Sequence, residues 1–178
     1  MALIPYADED PRDGRAKAMV ERLPEPRINL FRMLANVPTL IGPTLRLGEA
    51  ILTKSDLDPK LRELVILRVA SVTGSEYEWV QHESIARLVG LSDEQIAGVQ
   101  DDERAALRLV DELLAGTPSE ELVLEVATEL GRAQLLEVIL TTGYYAMLGG
   151  MMRAVRLDID HVLEKGMLDS ERLGGQAP

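Results

Sequence analysis

The residues best equipped for chemistry fall in one stretch, Asp58 to Leu91, DPKLRELVILRVASVTGSEYEWVQHESIARLVGL. It carries Glu63 inside an almost unbroken apolar run, then Ser75, Glu78, the single tryptophan Trp79, and His82, one of two histidines. A glutamate and a histidine held together make a general acid–base pair. The carboxylate orients the imidazole and tunes its pKa toward neutrality. Glu78 and His82 are also four residues apart, which makes them neighbours on one face of a helix.

The elements that must position these groups read as two helices joined by a turn at Thr73–Gly74–Ser75. Asp58 before Pro59 is an N-cap and first-turn pair, and Gly90 ends the second helix. At about 100° per residue, Ser75, Glu78, Trp79, His82, Ile85, Ala86 and Val89 share a face. Glu76, Val80, Glu83, Ser84 and Arg87 fall opposite. The first helix is apolar nearly all round, so it is predicted to be buried on most sides. A carboxylate there is costly unless it is paired. Folding the two helices together can bring Glu63 to His82. Plainer readings stand beside this one. His82 can be a satisfied core residue, Glu63 can pair with Arg62 or Arg68, Glu78 can pair with a surface Lys or Arg, and Ser75 can be a turn or cap residue.

The rest of the chain reads as a helical shell. Asp10-Pro11 opens a helix to about Arg22, weakened by Gly14, and Pro24 and Pro26 break it. Asn29 caps a short helix, LFRMLAN, and Pro38 opens the next, to about Leu52. Ser92-Asp-Glu-Gln95 is a capping box for a short helix to about Val99. Asp101 and Asp102 cap a helix over Glu103–Ala115, striped by Ala106, Leu107, Val110, Leu113 and Leu114. After a turn at Gly116-Thr117-Pro118, a helix runs from about Ser119 to Leu130. The segment from Arg132 to about Leu157 is apolar, with Gly143, Gly149 and Gly150 as points of close approach or bending. Asp158–Leu168 adds a last turn or short helix, and the tail from Gly174 to Pro178 is predicted to be loose. No alternating strand pattern occurs, so the fold class is all-α.

Composition sets the outer limits. A chain of 178 residues suits one domain, and 46% hydrophobic with 28% charged residues suits a folded one. Only 3% of residues are aromatic, which favours helices over sheets. The formal net charge of −11 opposes binding to nucleic acid or anionic lipid. With no Cys, the chain has no disulfide, no thiolate metal site and no redox-active pair. Met1–Ala16 lacks a signal-peptide pattern, and no run reaches about 18 uninterrupted apolar residues, so no membrane span is expected and the cytoplasm is the default.

No metal and no cofactor are expected either. Glu78 and His82 offer two ligands, His161 is remote, and no Gly-rich phosphate loop follows a strand. Met147, Met151 and Met152 read as core or subunit interface. Tyr144 and Tyr145 put a hydroxyl into a pocket or pack with it at the rim.

Three blocks, R62-E-L-V-I-L-R-V-A70, G74-S-E-Y-E-W-V-Q-H82 and A86-R-L-V-G-L91, resemble the carboxymuconolactone decarboxylase family, which includes the AhpD-type alkylhydroperoxidases. N29-L-F-R-M-L-A-N-V-P38 and T142-G-Y-Y-A-M-L148 extend the likeness to roughly residues 28–155. The resemblance implies a single AhpD-like helical domain over residues 1–178 with an antiparallel hairpin at its core. It also implies a homo-oligomer: dimer, trimer or hexamer.

In the family's peroxidase branch a glutamate and a histidine relay protons to a Cys-x-x-Cys pair. Glu63 and His82 match the relay, while Ser75 and Glu78 stand where the two cysteines would be. Without sulfur the disulfide cycle cannot run. The decarboxylase branch works without that pair, on a lactone acid.

The resemblance therefore implies a lyase-type, cofactor-free acid/base enzyme on a small organic acid or lactone. Decarboxylation, isomerisation and hydrolysis all fit. His82, Glu63 and Glu78 are its catalytic candidates, and Ser75, Trp79, Phe31 and Tyr145 are its pocket candidates. Arg32, Arg46, Arg68 and Arg153 are candidates to hold a substrate carboxylate. The alternative is a non-catalytic oligomeric ligand-binding member, or one called a peroxidase by inheritance alone.

Overall fold

The computed structural model describes residues 1–9, 14–23 and 27–160. The expected Asp10-Pro11 cap, the Pro24 and Pro26 break, His161 and the Gly174–Pro178 tail lie outside them. Among the described residues the chain is all-helical: α1 (Gly14–Glu21), α2 (Asn29–Leu34), α3 (Ile41–Thr53), α4 (Pro59–Thr73), α5 (Glu76–Leu88), α6 (Asp93–Ala97), a 3-10 turn (Gly98–Asp101), α7 (Ala105–Leu114) and α8 (Glu120–Val155).

Helix α4 is the axis of the fold, and its sequence fixes both of its ends. The Asp58 carboxylate accepts from the backbone N–H of Lys60 and Leu61, each at 3.0 Å, with Pro59 in the first turn. Gly74 closes it at φ 68°, where a side chain would be strained, and the Ser75 N–H returns to the Ala70 carbonyl at 2.9 Å. Every residue from Arg62 to Ala70 is buried. Leu64, Val65, Ile66, Leu67 and Val69 show no exposure at all, as expected of a helix with no polar side. Helix α4 packs on α5, α7 and α8. A second, smaller cluster joins Ala16 and Val20 of α1 to Leu34, Ala35 and Ile41.

Helix α8 breaks at Gly131, whose φ of 83° and ψ of 164° are non-helical. Gly143, Gly149 and Gly150, read as points of close approach or bending, keep helical backbone geometry. Gly149 serves close approach. Among the described residues α8 alone is long and apolar enough to cross a membrane, but half of that window is buried inside the protein, as in a core helix.

Several caps differ from the sequence expectation. Asn29 does not cap α2. It is the first helical residue, and the Asp160 carboxylate accepts from its backbone N–H at 2.9 Å. A cap from 131 residues away is invisible to local sequence. Helix α7 starts at Ala105, with Asp102 holding the Arg104 N–H at 3.1 Å, while Asp101 lies in the 3-10 turn. The Ser92–Gln95 capping box forms as expected. Asp158 to Asp160, expected to begin a last turn, are irregular.

Candidate acid–base site

Helices α4 and α5 fold back on each other at the Gly74 turn and bring two distant side chains together. His82 Nδ1 lies 2.8 Å from Glu63 Oε2. The other oxygen, Glu63 Oε1, accepts from Arg62 Nε at 3.1 Å. Glu63 is fully buried, Arg62 is 3% exposed and His82 is 7% exposed. Burying this cluster is tolerable only because its members satisfy one another. With Nδ1–H donating to the carboxylate, His82 presents Nε2 as its working nitrogen. Two sequence readings are thus realised together, since Glu63 meets both His82 and Arg62. Arg68 goes elsewhere, to the Asp111 carboxylate and to the carbonyls of Val99 and Gln100.

One turn before His82 on α5 the situation reverses. Glu78 is 3% exposed and Ser75 is 1% exposed. Neither Glu78 oxygen, nor the Ser75 hydroxyl, has a hydrogen-bond partner among the described residues. Ser75 occupies the position before α5 but its side chain caps nothing. Burial pushes the Glu78 carboxyl up to about 8. Ser75 and the Gly149 backbone lie close enough to oppose that rise, but neither meets the carboxyl in hydrogen-bond geometry. Near neutral pH Glu78 is therefore largely a neutral acid.

The second arm of α8, residues 132–155, covers both groups. A Cβ on Gly149 would stand 2.6 Å from Glu78 Oε2 and 3.1 Å from the Ser75 Cβ, so only glycine lets the helix this close. One turn earlier, Tyr145 meets His82 edge to face, ring centres 4.8 Å apart. Burial, with Glu63 and Glu78 nearby, holds the Tyr145 hydroxyl well above its usual pKa. The pairs 78/82 and 149/145 run in opposite directions, so α5 and this arm lie antiparallel here. Tyr144 donates to the Thr44 carbonyl at 3.1 Å and packs on Gly48.

Not every candidate joins the site. Trp79 is half-buried against the main core, and Phe31 is half-buried on α2. Arg32 is bound to Asp8 and Glu9 and stacks over Tyr6, and Arg46 lies exposed on α3. Of the four candidate arginines, Arg153 alone lines a cleft of about 540 Å³ that Ser75 also lines. His82, Glu63 and Glu78 do not line that cleft.

Sequence reasoning missed Tyr77 and Gln81. Both are buried on α5 and donate to Asp160, Tyr77 to its carboxylate and Gln81 to its carbonyl, the latter at 3.2 Å. It read Gly149 as a point of close approach or bending but did not name Glu78 and Ser75 as what it approaches. The signal available was its spacing of four from Tyr145. Among the described residues no three His, Asp or Glu side chains converge as a metal ion would require.

Comparison with curated proteins returned no match. The family model that matches, over residues 43–129, is that of the carboxymuconolactone decarboxylase family. This span is narrower than residues 28–155. It runs from within α3 to two residues before the Gly131 break, and so includes Glu63, Ser75, Glu78 and His82 but not Tyr145 or Gly149. The all-helical fold and the α4–α5 hairpin accompany that match: residues 43–129 are similar to the carboxymuconolactone decarboxylase family, in a chain without cysteine.

Proposed function

We propose that the protein is a cofactor-free acid/base enzyme acting on a small organic acid or lactone. The supporting observation is the buried Glu63–His82 contact of 2.8 Å, which fixes the tautomer and direction of the imidazole. Glu78, protonated near neutral pH, adds a proton donor one turn away. In a decarboxylation the bond to the leaving carboxylate breaks and its electron pair passes into the conjugated carbonyl. A proton from Glu78 or His82 then returns to carbon. Isomerisation uses the same two groups, with His82 taking the proton that is later returned. Cysteine-based peroxide reduction has no place here, because the chain has no sulfur nucleophile of that kind.

Proton exchange at carbon tests this without knowing the physiological substrate. Unsaturated γ-lactone acids and oxo-acids are incubated in D2O, and loss of the C–H signals beside the carbonyl is followed by NMR. The wild-type protein is expected to catalyse exchange, and His82→Gln to slow it on the order of a hundredfold or more with an unchanged circular dichroism spectrum. Equal exchange by the variant removes His82 from the mechanism.

A second reading, an oligomeric ligand-binding protein without catalysis, draws on His82 standing outside the described cleft. Both readings include self-association through α8. Leu136, Leu140 and Met147 are exposed, with exposed Gly143 between the last two and exposed Gly150 after them, at alternating spacings of four and three. That spacing makes a seam suited to a second copy of the same helix. Leu140→Glu is expected to lower the mass measured by sedimentation equilibrium. An unchanged mass rejects this face as the interface.

A further inference from the structure

The cleft of about 540 Å³ opens where the α4–α5 turn meets the end of α8. Its volume is within the range that holds small ligands. Met152, Leu157 and Ile159 give it apolar walls, and the buried Ser75 also lines it. The Ser75 hydroxyl, unpartnered among the described residues, is a polar group whose partner the protein does not supply. Behind it, against Gly149, lies the unpartnered Glu78 carboxyl.

Two guanidinium groups line the same cleft. Arg153 donates to the Thr73 carbonyl at the end of α4, which ties it across the turn. Arg156 is exposed and has no ion pair among the described residues. It ends α8 at φ 53°, the one left-handed residue other than glycine among those described. Glycine is the residue favoured at such a position, so the arginine stands there against a backbone preference.

The acids nearby do not cancel these charges. Asp158 is taken up by the Met1 ammonium at 2.8 Å, the Tyr6 hydroxyl at 3.0 Å and the Ala2 N–H at 3.1 Å. Arg153, Arg156 and the Met1 ammonium outnumber Glu76 and Asp158 along the cleft, in a chain whose net charge is −11. Such a local reversal of sign draws in an anion.

We propose that this cleft binds a small carboxylate with an apolar body and a carbonyl at its far end. Arg153 and Arg156 hold the carboxylate, as paired guanidinium groups do well. The carbonyl reaches Ser75, with Glu78 buried beyond it and outside the lining. What then happens to the ligand rests on the acid–base reading, whereas binding rests on the cleft alone.

The probes are 6-oxoheptanoate, its methyl ester and inorganic phosphate, titrated against the full chain by saturation-transfer NMR. The acid is expected to bind, the ester about tenfold or more weakly, and phosphate not to displace the acid. Arg156→Gly relieves the left-handed backbone, so folding is retained, and it is expected to weaken the acid about tenfold while leaving the ester unchanged. Arg153→Gln is expected to act in the same direction. Equal binding of acid and ester, no binding of the acid, full displacement by phosphate, or an unaffected Arg156→Gly each overturns the proposal. His82→Gln separates the two claims. Acid binding intact with exchange lost supports both, acid binding intact with exchange retained sinks only the catalytic role, and His82-dependent exchange without acid binding sinks only the cleft.

Discussion

Glu63 and Glu78 are two glutamates of one hairpin, both withdrawn from solvent, and they have opposite surroundings. Glu63 is held by Arg62 and His82, while Glu78 has no partner among the described residues. Depth is therefore not what distinguishes them. Partners are. At the Glu63 end burial yields a fixed ion cluster that aims a histidine. At the Glu78 end burial yields a neutral acid, with its carboxyl pushed up to about 8, beside a cleft that Ser75 lines. A site that needs both an oriented base and a proton donor gets them from one residue type by supplying partners to one and withholding them from the other.

The sharpest way to break that contrast is Glu63→Gln. It leaves Arg62 and His82 without their shared carboxylate in the core, and is expected to cost about 3–5 kcal/mol of stability in urea unfolding. It should also slow carbon exchange as His82→Gln does. A cost near zero shows that the cluster is not held by Glu63.

Glu78→Gln tests the other end and works through pH. Between pH 4.5 and about 8 the folded chain keeps a proton on Glu78 that the unfolded chain has released. Stability therefore falls as pH rises through this window. A glutamine carries no such penalty, so the variant is expected to gain on the wild type from pH 5 to pH 9, by a few kcal/mol at the upper end. Parallel stability curves contradict the neutral acid.

Gly149→Ala has the smallest effect and reports on the contact itself. The new methyl must displace the Glu78 carboxyl, which offsets the gain in helix propensity. Its cost is expected to be about 1 kcal/mol larger with Glu78 present than in Glu78→Ala, measured as a double-mutant cycle. Additive effects remove Gly149 from the site.

Legibility followed distance along the chain. The α4–α5 hairpin could be read because Asp58, Gly74 and the apolar run of α4 each act within a few residues. The Glu63–His82 approach followed from folding that hairpin. The partner helix could not be placed from sequence, because nothing local says that Gly149 rests on Glu78 or that Tyr145 meets His82 edge to face. Asn29 failed for the same reason, its expected capping role falling to distant Asp160. Glu78 was found by its face on α5, but its neutrality depends on what α8 does not provide.

The most direct test of that central contrast is the titration of the Glu78 side-chain carboxyl, followed by 13C NMR in glutamate-labelled protein and assigned with Glu78→Gln. A midpoint near 8 is expected, reported by a signal that the variant lacks. A midpoint near 4.5, the ordinary glutamate value, contradicts the claim that the hairpin holds a neutral acid one turn from its histidine.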